Sequence, residues 1–127
     1  MKVQLSMSNP TAIVIDDNFD NCEIFRAILH RQGYDVKIHL EGQAAVDVLN
    51  DTSFTLAVID LQIPEVSGLA IIESIKANPI HSDMVIVVAT ANPHMVTDDV
   101  NEQADFIVIK PIEVHDFGQL AKRLKPN

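Results

Sequence analysis

Four apolar runs in this chain each end in a residue able to do polar chemistry. Ala12 to Ile15 is followed by Asp16 and Asp17, the run from Phe54 to Ile59 by Asp60, Met84 to Ala89 by Thr90, and Phe106 to Ile109 by Lys110. A carboxylate left unpaired in apolar surroundings is costly, so each of these needs a partner. If they meet, three carboxylates repel one another, and a hard divalent cation answers the difficulty. Mg2+ takes oxygen ligands, keeps several waters and suits one or two carboxylates plus phosphate oxygens. Lys110 adds a mobile positive charge and Thr90 a hydroxyl donor. These are the parts of a phosphoryl site with Asp60 as nucleophile.

The elements between them must bring those residues to one place. Phe19 to Gln32 repeats Cys22, Phe25, Ile28 and Leu29 at helical spacing, with Gly33 as its stop. Tyr34 to Leu40 alternates as a second strand with one more polar face. Gln43 to Asn50 reads as a helix buried through Ala44, Ala45, Val48 and Leu49. Leu69, Ile72 and Ile75 form a helical stripe that stops before Pro79. Residues 93–104 are polar and poorly patterned, a short or frayed helix at best, and Glu113 to Leu124 is a last helix with Val114, Phe117, Leu120, Ala121 and Leu124 inward. Five strands alternating with helices predict an α/β fold, a doubly wound parallel sheet covered on both faces. Such covering explains why all strands but the second are apolar throughout. In open parallel sheets chemistry collects at the carboxyl ends of the strands, where all the residues above stand.

The chain has 127 residues, enough for one domain with its own core. Its formal net charge of -9 repels phosphate backbones and argues against direct nucleic-acid binding. One cysteine, Cys22, excludes an internal disulfide framework and fits a reducing compartment; its place is core packing in the first helix. No apolar run is long enough for a membrane span, and the polar start lacks a signal-peptide core, so a cytoplasmic protein with no membrane contact is expected. The five histidines (His30, His39, His81, His94, His115) lie on polar stretches without ligand spacing and are expected at the surface.

With I-D-D at 15–17, D-L-Q-I-P-E-V-S-G at 60–68, T-A at 90–91 and K-P at 110–111, the sequence resembles the receiver domain of two-component response regulators from about Thr11 to Leu124. The resemblance implies a flavodoxin-like five-stranded sheet of order 2-1-3-4-5. It implies Asp60 as phosphoacceptor and Mg2+ held by Asp17 directly, by Asp16 through water, by Asp60 and by the backbone carbonyl of Gln62. Thr90 is similar to the family's switch hydroxyl and Lys110 to its phosphate-pairing lysine, whose bond to Pro111 is cis there. A sensor histidine kinase or histidine phosphotransfer protein would donate the phosphoryl group, and the signal would pass by partner binding. Residues 1–10 then form a tail and 11–125 the receiver domain, with no output domain following. It would not be an enzyme beyond its own phosphorylation and dephosphorylation. Two departures stand out. Ile107 occupies the place of the family's usual switch aromatic, with Phe106 facing the other side of the strand, and the segment from Thr90 to Lys110 is short, so the fourth helix is expected to be truncated.

Each residue also has an ordinary reading: Asp16 and Asp17 as helix caps, Asp60 as a turn residue, Lys110-Pro111 as an exit turn. A phosphohydrolase using Asp60 would want a second Asp where Gln62 stands. A flavin- or nucleotide-binding module would want a Gly-rich loop where D-D-N-F-D-N stands. A receiver-like module that binds partners without phosphorylation is the remaining alternative.

Overall fold

The computed structural model describes residues 9–126. Of the expected tail, residues 1–8 lie outside the described residues; Pro10 leads into the first strand and accepts a backbone hydrogen bond from Asp35. Strands β1 (Thr11–Ile15), β2 (Asp35–His39), β3 (Leu56–Ile59), β4 (Val85–Thr90) and β5 (Phe106–Ile109) alternate with helices α1 (Phe19–Arg31), α2 (Gly42–Leu49), α3 (Gly68–Ala77), α4 (Asp98–Gln103) and α5 (Val114–Arg123). All strand pairs are parallel and the order is β2-β1-β3-β4-β5, as expected.

Strand alternation divides the core in two. Ile13, Ile15, Ala57, Ile59, Ile86 and Val88 face Leu49, Ile71, Ile72, Ile75 and Val100 on the α2-α3-α4 side. Ala12, Val14, Leu56, Val58, Val87 and Ala89 face Phe25, Leu29, Phe117 and Ala121 on the α1-α5 side. There the Phe25 and Phe117 rings meet edge to face at 5.1 Å, and the Tyr34 hydroxyl donates to Ala121 O at 2.7 Å. Gly33, at φ +96°, ends α1 in the left-handed region that glycine enters without strain.

Four expectations need correction. β5 is an edge strand and is not covered throughout: Phe106 and Ile109 are 40% and 43% exposed. On α2, Ala44 turns to solvent while Gly42 and Ala45 face inward. On α5, Val114 stands outside the stripe at 53% exposed. His81 is buried, because the 3-10 turn Pro79–His81 folds it under α2, where its Nε2 lies 2.7 Å from Leu49 O. Residues 93–104 are firmer than their polarity suggests. Asn92 caps a 3-10 turn at Pro93–Met95, Thr97 caps α4, and Val100 anchors it in the core. At six residues, α4 is as short as expected.

Candidate functional site

Parallel register aligns the strand ends. Ile15 pairs with Ile59, so Asp16 and Asp60 leave adjacent strands side by side, with the Asp60 amide donating to Ile15 O at 2.9 Å. Thr90 pairs with Ile109, and the Lys110 amide donates to Thr90 O at 2.8 Å. Three of the strand-end side chains each close a tight turn with the amide two residues on. Asp16 Oδ1 accepts from Asn18 N at 2.9 Å, Asp60 Oδ1 from Gln62 N at 3.0 Å and Thr90 Oγ1 from Asn92 N at 3.1 Å. The ordinary turn reading of Asp60 is therefore realised, whereas the cap of α1 is Asn18 rather than Asp16 or Asp17.

The other carboxylate oxygens converge on one ammonium. Lys110 Nζ donates to Asp16 Oδ2 at 2.6 Å and to Asp60 Oδ2 at 3.0 Å, and all three side chains are largely buried. Burial alone would pull the Lys110 pKa down. Hydrogen bonds and charge from Asp16 and Asp60 outweigh it, and the pKa lies above the ordinary lysine value. This ammonium is the partner that a carboxylate at the end of β3 requires.

Asp17 is exposed, yet its carboxylate joins the group: one oxygen each from Asp16, Asp17 and Asp60 lie within 4.8 Å of one another. Oxygens bound to one Mg2+ at about 2.1 Å are roughly 3 to 4 Å apart, so a small contraction would let this hard donor set fit that ion. Gln62 is exposed in the loop after β3, beside Asp60. Thr90 is buried and its hydroxyl bonds to Asn92 rather than to a carboxylate. Ile107 packs on the α2-α3-α4 side and Val108 on the other, the alternation expected for β5.

The β3-α3 loop explains the spacing of Pro64 and Gly68. Pro64 O accepts from Val66 N at 2.8 Å across Glu65, whose φ of +70° is a left-handed value for a side-chain-bearing residue. The chain then returns so closely that a Cβ on Gly68 would lie 2.6 Å from Leu61 Cα and closer still to Asp60 O. The Lys110-Pro111 bond is cis. Cys22 is core packing as expected; its thiol lies 3.2 Å from Asp16 O, and burial with the nearby Asp16 pushes its pKa up to about 11.

Sequence reasoning missed three supports. Asn18 caps α1 by accepting from Asn21 N and also donates its amide to Asp16, while Asn21 Nδ2 lies 3.5 Å from Asp16 Oδ2. The signal was present, since Asn two residues after a strand-end Asp is a cap-and-turn pattern. Asp105 clamps the entry of β5 by exchanging two 2.8 Å bonds with the Ile86 backbone, and no local pattern marks that role.

Residues 12–124 match the family described as the response regulator receiver domain. The chain belongs to that family. As a receiver domain it is a two-component signalling module, of a kind that partners histidine kinases, rather than a conventional enzyme. It is 26% identical over 121 residues to the transcriptional regulatory protein ZraR of Escherichia coli, covering 95% of this chain and 27% of that protein. The chain spans about a quarter of the length of the ZraR relatives it matches. Among solved structures, a CheY-like receiver domain from Methylobacillus flagellatus is similar with a TM-score of 0.83 at 22% identity, covering 92% of this chain and 99% of that one. The response regulator TrrA of Thermotoga maritima, described in complex with Mg(2+)-BeF, is similar with a TM-score of 0.79 at 25% identity, covering 91% and 98%. Among the described residues no helix is long and apolar enough to cross a membrane.

Proposed function

We propose that this receiver domain accepts a phosphoryl group on Asp60 from a phosphohistidine and signals by phosphorylation-dependent partner binding. The observation that carries the reading is the convergence of Asp16, Asp17 and Asp60 with Lys110 bridging two of them. Residues 11–125 form the receiver unit in this reading. Asp17, Asp60 and the backbone carbonyl of Gln62 would hold Mg2+, with Asp16 acting through water. The ion, when bound, would neutralise phosphoryl oxygens.

Asp60 attacks phosphorus, forming a P–O bond as the P–N bond of the phosphohistidine breaks and the imidazole leaves. Lys110, already 3.0 Å from Asp60, then pairs with a phosphoryl oxygen. The Thr90 hydroxyl, now bound to Asn92, is the donor that turns toward the new charge. The TrrA complex with Mg(2+)-BeF supports such an occupancy in a protein of the same fold. Acetyl phosphate with Mg2+, read by intact mass, should add one acid-labile phosphoryl group. Asp60→Asn should abolish it, and labelling of that variant at the wild-type rate would sink the assignment.

A further inference from the structure

Along the outer edge of β2 runs a cavity of about 770 Å³ that none of the strand-end site residues lines. In a chain of net charge -9, basic groups gather here: Arg26 and His30 from α1, Lys37 and His39 from β2. Asp35 is the acidic residue on the lining. The Arg26 guanidinium is held by Glu23 at 2.5 Å and is partly neutralised, so the exposed Lys37 carries the larger share of the positive field. Lys37 and His39 are two apart on one strand and project to the same side. Val48 and Phe54 supply an apolar wall and Thr52 a hydroxyl.

We propose that this groove binds a phosphate-bearing small molecule of nucleotide size, its anionic group between Lys37 and His39 and its ring against Val48 and Phe54. Its volume falls in the range that encloses such ligands, and an apolar wall with a few convergent polar groups is their usual setting. Burial and the Lys37 charge hold the His39 pKa below its ordinary value. An anion placed there is therefore balanced chiefly by the exposed Lys37 ammonium, with the His39 ring beside it as a hydrogen-bonding group.

The test is a titration of the full chain with adenosine monophosphate, followed by amide and histidine-ring NMR without Mg2+. Saturable shifts should map to β2, residues 48–54 and residues 26–30. Lys37→Glu should weaken binding on the order of tenfold while leaving Asp60 labelling unchanged. Asp60→Asn should bind like wild type; loss of the shifts in that variant would place the nucleotide at the strand-end site and overturn the proposal. Equal binding of adenosine would overturn the anionic contact, and equal binding of inorganic phosphate would overturn the ring subsite. The absence of saturable shifts at β2 would overturn it entirely.

Discussion

Replacing Lys110 with methionine isolates what the bridging ammonium does before any ligand arrives. The stem of the side chain is retained and only the charge is lost. In its place Asp16 and Asp60, whose side chains are 3% and 10% exposed, face each other with their Oδ2 atoms without a cation. Removing one partner of a buried ion pair costs about 3–5 kcal/mol, because the charge left behind stays desolvated. Here the pocket opens to water through the exposed Asp17, and each aspartate keeps its Oδ1 bond to a backbone amide, so the low end, about 3 kcal/mol, is expected. Urea unfolding at neutral pH in a chelating buffer measures it. Saturating Mg2+ should then recover more stability in Lys110→Met than in wild type, since a divalent ion meets less competition and replaces the missing charge. A chelated Lys110→Met protein within about 1 kcal/mol of wild type would refute the view that Lys110 holds these carboxylates together.

Gly68→Ala should cost about 2–3 kcal/mol and slow labelling at Asp60, because its Cβ meets backbone that cannot yield; unchanged stability in chemical denaturation would show the loop to be looser than described. Glu65→Gly should stabilise by about 1 kcal/mol by relieving the left-handed φ of +70°, and an unfolding midpoint shifted the other way would count against it. Folding holds the Cys22 proton to about pH 11 and, by burial, the Tyr34 proton to about 12, each above the unfolded-chain value. The folded state therefore binds more protons, and stability is fully present below about pH 8.5 and falls above it, first through Cys22. Lys110 loses its own contribution with the same sign, as pH rises through its raised pKa. Cys22→Ala should flatten the slope between about pH 8.5 and 10, and an unaltered slope would exclude the thiol as its source. Ile107, packed against the core and stiff at χ1, should keep one rotamer on beryllofluoride activation while NMR changes concentrate from Thr90 to Gln103; the reverse pattern would defeat that expectation.

The positions of the candidate site residues were readable because they stand where apolar runs end. A charged side chain directly after a buried strand can only emerge at the sheet edge, and parallel pairing sends every such edge the same way. Five strands, alternating helices and the brevity of α4 followed from periodicity, Gly33 and Pro79. The strand order came through the resemblance, because crossover rules alone admit several orders. Burial at particular positions was less readable. Ala44 and Val114 match the apolar type of a helical stripe but sit where no neighbour covers them, and β5 is apolar yet lies at an edge.

What the sequence by itself determined was local: which runs are strands, where they stop, and which side chains stand at the stops. The tertiary structure decided the partners. Lys110 meets Asp16 across 94 positions and Asp60 across 50, and nothing near any of the three announces which carboxylate it holds more closely. It decided that His81 lies under α2, that Asp105 clamps Ile86, and that Gly68 must be glycine because Asp60 and Leu61 return against it. Periodicity is set by each residue's own backbone, whereas contacts depend on distances between segments that no short stretch of chain encodes.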